Sequence, residues 1–141
     1  MRYSTKSRYA LRLMMELAAR PEGACVSLKE ISERQQISLK YLEQIVTPLT
    51  RARLVKSMRG SQGGYRLTKQ PAEYTAGEIL RAVEGSLASV TCLSVEDYDC
   101  PRRDECPSRR FWSGLDEVVA KYVDSVSLLE LCGPDCRTAT E

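Results

Sequence analysis

The apolar positions of the chain fall into a series of short helical patterns interrupted by one hairpin. Between Ser4 and Arg20, Ala10, Leu13, Met14, Leu17 and Ala18 form the i, i+3, i+4, i+7 stripe of an amphipathic helix, and Pro21 and Gly23 end it. A second helix opens at Ser27-Leu-Lys-Glu30, a capping box in which Ser27 and Glu30 satisfy two orphan amides, with Ile31 as the core contact. After a break at Gln35-Gln36-Ile37, Ser38 is a good N-cap for a third helix. One face of that helix is Leu42, Ile45, Val46 and Leu49. The other displays Ser38, Lys40, Tyr41, Glu43, Gln44 and Thr47. Pro48 has no amide for the carbonyl of Gln44, which predicts a bend or restart there. Two short helices joined by a tight turn, the second with a hydrogen-bonding face, form a helix-turn-helix pattern.

The pattern then changes period. Val55–Met58 and Tyr65–Thr68 are strand-like, and Gly60-Ser-Gln-Gly-Gly64 between them supplies hairpin turn residues. A hairpin directly after a helix-turn-helix is a wing, with Arg59 near its tip. A fourth helix starts at a second capping box, Thr75-Ala-Gly-Glu78, runs to Gly85, and is expected to pack under the wing. Further on, Trp112, Leu115, Val119, Tyr122, Val126 and Leu129 are spaced 3, 4, 3, 4, 3. That is an a/d seam, read as one long helix packing along a partner. No comparable helix remains in the chain to face it, so the expected partner is a second copy.

Between the fourth helix and the seam lies Thr91–Pro107, with Cys92, Cys100 and Cys106 spaced C-x7-C-x5-C. The segment is acidic and poor in aliphatic residues, so it cannot bury a core and needs something to hold it. The expected organisation is therefore a winged helix-turn-helix region over 1–69, a supporting helix over 70–90, a cysteine ligand loop over 91–107, a dimerisation helix over 108–131 and a mobile tail over 132–141. The fold class is mainly α with a small β-hairpin.

Charge sharpens this division. Residues 1–69 carry 14 Lys and Arg against 5 Asp and Glu, a balance of +9; residues 70–141 carry 7 against 14, a balance of −7. A polyanion partner is implied for the first part only. There is no signal-peptide pattern and no apolar run near eighteen residues, which points to the cytoplasm and away from the membrane. In that reducing compartment six cysteines favour metal ligation or redox sensing over a disulfide scaffold. The chain has no histidine, which excludes His-based acid–base catalysis, Cys–His nucleophiles and imidazole ligands. A cysteine-dependent redox enzyme lacks both a C-x-x-C pair and a base near any cysteine. Three thiolates select an iron–sulfur cluster or zinc, and bare thiol sensing also stays open. Zinc prefers a closed four-ligand site, whereas an incomplete site suits a labile cluster. Cys25 is expected to be a small core residue.

Lys40, Tyr41, Glu43 and Gln44 lie in the first two turns of the third helix and are the candidates for base readout. Gln pairs with adenine, and Glu43 accepts from the cytosine amino group and penalises sites without a donor. Arg2, Lys6, Arg8, Lys56, Ser57 and Arg59 are expected to fix register on the backbone, with Ser38 and Gly60 completing the contacting set.

The run ISERQQISLKYLEQ (Ile31–Gln44), the wing RGSQGGYRL and the three-cysteine loop together resemble the IscR-like iron–sulfur cluster regulators, a family that also contains NsrR and CymR. The resemblance covers nearly the whole chain. It implies a dimeric winged-helix repressor or activator, bound to a palindromic operator in double-stranded DNA and sensing cluster status. It implies an iron–sulfur cluster, [2Fe–2S] in type, on Cys92, Cys100 and Cys106. The chain departs from the pattern at the fourth ligand. The family's histidine is replaced by Arg109, and the position of the acidic residue used by NsrR-like proteins is Arg8. Asp99, Glu105, Cys132, Cys136 or an exogenous group is left for that place. A thiol or zinc sensor without a cluster, in the manner of CymR, is the alternative.

Overall fold

A computed structural model describes residues 3–94 and 98–136. The elements are α1 (Thr5–Ala18), α2 (Leu28–Gln35), α3 (Leu39–Arg51), β1 (Val55–Met58), β2 (Gly64–Leu67), α4 (Ala76–Glu84), α5 (Thr91–Ser94), α6 (Arg109–Ser125) and α7 (Leu128–Cys132). Short 3-10 turns cover Pro71–Glu73 and Gly133–Cys136. Helix α1 is the axis of the domain. Its Ala10, Leu13 and Met14 are fully buried, and α2, α3, α4, α7 and β2 all pack against it.

The helix-turn-helix forms from local signals. The Ser27 hydroxyl accepts from the Glu30 amide at 3.1 Å. The reciprocal half of that capping box does not form, because the Glu30 carboxylate turns to the Arg20 guanidinium. Gln36 closes α2 in the left-handed region (φ 56, ψ 43), and Ile37 then drops into the core. Behind the turn, Arg12 Nε donates to Gln35 Oε1 at 2.9 Å and Gln35 Nε2 donates to the buried Glu16, which ties α2 to α1. Helix α3 starts where Ser38 accepts from the Tyr41 amide at 3.2 Å. It neither restarts nor ends at Pro48. Only one ladder bond is missing, the Ala52 amide still reaches the Pro48 carbonyl at 3.0 Å, and the turn after Pro48 carries fully buried Leu49 into the core.

The wing pairs antiparallel, with Val55 opposite Leu67 and Met58 opposite Gly64. Val26 adds a bridge to Tyr65 through bonds of 2.9 and 2.8 Å. That approach requires Gly64, which has φ 151 and where an added Cβ would lie 2.5 Å from the Val26 carbonyl oxygen. Tyr74, fully buried, locks the wing's base. Its hydroxyl donates to the Leu54 carbonyl at 2.7 Å and accepts from the amides of Thr68 at 2.8 Å and Lys69 at 3.2 Å.

Helix α4 has both halves of its capping box, Glu78 N to Thr75 Oγ1 at 3.1 Å and Thr75 N to Glu78 Oε2 at 3.0 Å. It packs on α1, α3 and α6 rather than under the wing. The expected single helix over 108–131 is two. Helix α6 stops at Ser125, Val126 is extended (φ −99, ψ 118), and Ser127 caps α7. The cause is tertiary. Ala76 donates to the Val126 carbonyl at 2.8 Å and Leu128 to the Tyr74 carbonyl at 3.0 Å, which delivers Leu128 fully buried into the core. Burying that side chain contributes about 1.5–3 kcal/mol, enough to outweigh the helical bonds lost at one break. Asp124 and Arg81 form a fork across the same joint (2.6 and 3.0 Å), and the close approach needs Gly77, whose Cβ would meet Asp124 Oδ1 at 1.9 Å. Of the expected tail over 132–141, Cys132 ends α7 and Gly133–Cys136 form a 3-10 turn, and residues 137–141 lie outside the described part. Among the described residues no helix is long and apolar enough to cross a membrane.

Tyr74→Phe should keep the fold and lower its stability by about 1–3 kcal/mol, because the Leu54 carbonyl and two amides lose a buried partner. Urea titration measures this; an unchanged midpoint would contradict the role given to the hydroxyl.

Candidate nucleic-acid interface and cysteine loop

On α3, Lys40, Glu43, Gln44 and Thr47 are exposed, as the sequence pattern requires. Two expected members of that face have other engagements. The Ser38 hydroxyl oxygen accepts the capping bond from the Tyr41 amide. Tyr41 is half-buried, with its ring edge-on to Tyr9 at 5.5 Å and 86°, and Arg12 sits 5.3 Å over Tyr9. Polarity alone did not reveal this inward aromatic pair. The same face carries a residue the pattern missed. Leu39, in the first turn, is 43% exposed and provides an apolar surface of the kind that meets a thymine methyl.

In the wing, Lys56, Ser57, Met58, Arg59 and Gly60 are all exposed. The tip is closed by the Gly63 amide on the Gly60 carbonyl at 3.0 Å, with Gly60 at φ 120. Lys6 and Arg8 are exposed near the start of α1, and Arg2 lies outside the described residues. The start of α1 is held by Glu84, the last residue of α4. Its Oε1 accepts from the Ser4 amide at 2.9 Å, from the Ser7 hydroxyl at 2.6 Å and from the Ser4 hydroxyl. Burial pushes the Glu84 carboxyl up, but the bonds from Ser4 and Ser7 and the charge of Lys6 outweigh it, and the group lies below its ordinary value.

The cysteine loop leaves α4 just after Glu84 and is tethered to α6 where the Ser89 amide donates to Asp116 Oδ1 at 2.9 Å. Cys92 is exposed on α5, whereas Cys100 and Cys106 are half-buried. Cys106 Sγ lies 3.5 Å from Ser108 Oγ. Hydrogen bonds from the Ser108 hydroxyl and amide lower the Cys106 thiol below its ordinary value, and the Arg109 amide and Arg102 charge add to this. Among the described residues no three cysteine or carboxylate side chains are drawn together as metal ligands. The donor types therefore suit a thiophilic group, while the arrangement is open. Of the fourth-ligand candidates, Asp99 and Glu105 are exposed, and Cys132 sits on α7 with its thiol 3.9 Å from the Met15 carbonyl. The side chain of Cys136 lies outside the description. Cys25 is half-buried beside the Val26 bridge and is not part of the core, contrary to expectation, because the neighbouring Val26 takes the inward position.

Of the expected a/d seam, Trp112, Leu115 and Val119 are half-buried and Tyr122 is 69% exposed, all on α6. Val126 is instead the joint to α7, and Leu129 packs against the core of its own domain. Phe111 at 64% and Val118 at 67% exposure were not in the seam. Val123 is the one buried residue of α6.

The family model described as an iron-dependent transcriptional regulator, Rrf2, matches residues 3–134. The chain belongs to the Rrf2 family. It is a helix-turn-helix transcription regulator with the winged-helix architecture of that family, and not an enzyme. It is 41% identical to the HTH-type transcriptional regulator CymR of Bacillus subtilis over 93% of this chain and 89% of that one. It is 38% identical to the regulator IscR of Aliivibrio salmonicida, over 93% and 77%. Among solved structures, CymR, the global cysteine regulator of B. subtilis, matches with a TM-score of 0.76 at 39% identity, covering 94% and 96% of the two chains. IscR of T. potens matches with a TM-score of 0.73 at 35% identity, covering 93% and 85%.

Because the folded value of Glu84 is depressed, its stabilisation is present above the ordinary carboxylate range and is lost as pH falls through the folded value. Glu84→Gln should therefore melt below the wild type at about pH 7, and the gap should close as the pH falls through the folded value of the carboxyl. A gap of constant size across that range would contradict the Ser4–Ser7–Glu84 latch.

Proposed function

We propose that this regulator is a homodimer that binds a palindromic operator in double-stranded DNA and senses iron–sulfur status through Cys92, Cys100 and Cys106. The observation that carries the reading is three thiols in one loop that leaves α4 beside the α1 latch, is tethered to α6 through Ser89 on that same side, and runs into the start of α6 on the other. The cluster would supply a charged, redox-labile group. The chain's own part is to present thiolates, and the hydrogen bonds from Ser108 favour that form at Cys106. Binding such a group requires the loop to draw in, because no three ligands converge among the described residues. A specific observation supports the thiol-sensing alternative: relatives named CymR match as well as those named IscR, and the lowered Cys106 thiol favours oxidation as much as ligation.

Protein made without air should be coloured, with iron and sulfide bound, and Cys→Ala at 92, 100 or 106 should each abolish the chromophore, because two anchors remain where three are needed. Cys25→Ala should leave it intact. A colourless wild type whose operator binding responds only to oxidant would favour the thiol reading.

On DNA, Lys40, Glu43 and Gln44, with Leu39, read bases from α3. Ser57, Arg59 and Gly60 of the wing, with Lys6 and Arg8, hold the backbone. Ser38 and Tyr41 act mainly by setting the start and tilt of α3. Gln44→Ala should cost on the order of 1–3 kcal/mol on the preferred operator and blur the preference between operators. Arg59→Ala should weaken all sequences alike, and Glu43→Ala should relax selectivity. Titration over variant palindromes at fixed salt distinguishes these; equal loss on every sequence for all three would defeat the assignment.

The partner surface is α6, with Phe111, Leu115, Val118, Val119 and Tyr122 facing a second copy. Val118→Glu with Tyr122→Glu should split the dimer without harming the core, since both residues are exposed in the single chain. Sedimentation decides it: a double mutant that remains dimeric places the contact elsewhere.

A further inference from the structure

A groove of about 840 Å³ opens on the flank of the domain between the last turn of α1, the 21–24 loop, the base of the wing and the 68–73 turn. Its lining combines apolar residues, Leu17, Ala18, Leu67 and Leu129, with two cationic side chains from paired positions of the wing, Lys56 and Arg66. Two other cations on its rim are already matched, Arg20 by Glu30 and Lys69 by Glu78 at 3.1 Å. Lys56 and Arg66 have no ion-pair partner among the described residues.

Arg66 carries the decisive detail. Its Nε is buried and donates to nothing among the described residues, although the side chain lines an open groove. A buried guanidinium N–H without an acceptor is costly, and the group's fork matches a planar oxyanion. Of the two carboxylates on the rim, Glu73 accepts from the neutral Gln70 amide at 2.8 Å, and Glu22 has no hydrogen-bond partner among the described residues. The charges of Lys56 and Arg66 are balanced by those of Glu22 and Glu73, since a bond from a neutral backbone amide leaves the Glu73 charge in place. What the groove lacks is an acceptor for the Arg66 Nε–H, and its apolar lining suits a carboxylate carried on an apolar body.

We propose that this groove is an effector site for a small monocarboxylate, with the carboxylate on Arg66 and Lys56 and the hydrocarbon part on Leu17, Leu67 and Leu129. The site is separate from the cysteine loop and from the exposed face of α3, and it does not depend on what the loop binds. It spans the base of the wing and α7, the segment that follows α6. A ligand there bridges the DNA-contacting hairpin to the end of the α6 arm, and any effect on operator affinity must be matched by an equal effect of operator on ligand affinity.

The test is amide NMR and calorimetric titration of the full chain with hexanoate, using hexan-1-ol and inorganic phosphate as matched probes lacking the charge or the apolar body. Hexanoate should bind with saturable shifts at Gly23, Leu67 and Leu129, and the two controls should bind at least about tenfold more weakly. Arg66→Gln should weaken hexanoate by about tenfold or more, and Glu22→Gln should strengthen it severalfold. Arg66→Gln orphans no partner, so its fold is checked by an unchanged spectrum elsewhere. Absence of hexanoate binding, equal binding of hexanol or phosphate, or indifference to Arg66→Gln would each overturn the proposal.

Discussion

The part of this structure on which the rest depends is the backbone pairing between Tyr74–Ala76 and Val126–Leu128. Two hydrogen bonds, of 2.8 and 3.0 Å, return the chain from α6 to the core. Beside them, Asp124 and Arg81 lock over Gly77. The ion pair itself is largely exposed and adds little. Its value is positional, since it sets the angle at which α6 leaves the domain. Tyr74 stands at the centre of the joint. Its carbonyl receives Leu128, and its hydroxyl holds the base of the wing through Leu54, Thr68 and Lys69. The wing, α4 and the α6 arm therefore meet at one residue, which gives the arm a short physical route to a DNA-contacting element.

A second route runs through Glu84. The carboxylate that ends α4 also fastens the start of α1, one residue before the chain turns at Gly85 toward the cysteine loop. A change in the loop that moved the end of α4 would loosen Ser4 and Ser7, and with them the exposed Lys6 and Arg8. This fits a regulator whose sensor lies outside its DNA-binding unit, because both connections are rigid elements with few, identifiable contacts. Coupling through them is part of the proposed function, and its sign is set by which form of the loop the joint accommodates.

Much of the fold was legible in the sequence where the deciding forces are local. The Ser38 and Thr75 caps, the α1 stripe and the glycine-rich wing turn depend on neighbours in the chain, and each forms as the pattern predicts. The pattern failed where distant contacts outweigh periodicity. The 3-4 spacing continued through Val126 and Leu129, but burial of Leu128 in the core, where α7 packs on α1 and the 71–73 turn, breaks the helix there. Tyr41 belongs to the polar face by its spacing, and its edge-on contact with Tyr9, more than thirty residues earlier, was not visible in that spacing. Glu30 left its capping box for Arg20. In the functional region the cysteines were visible at once, whereas Leu39, Phe111, Val118 and the Glu84 latch appear only when exposure and tertiary bonds are known.

In the function proposed above, the state of the three-cysteine loop is transmitted to the operator-binding surface. The most direct measurement is operator affinity of the same anaerobic preparation, loaded with its cluster and after the cluster has been removed by chelation, at one fixed salt concentration. The account predicts a clear difference between the two forms, on the order of tenfold or more, that disappears in Cys106→Ala. Identical affinity of the two forms on every operator would contradict it and would leave a winged-helix regulator whose cysteine loop has no part in DNA binding.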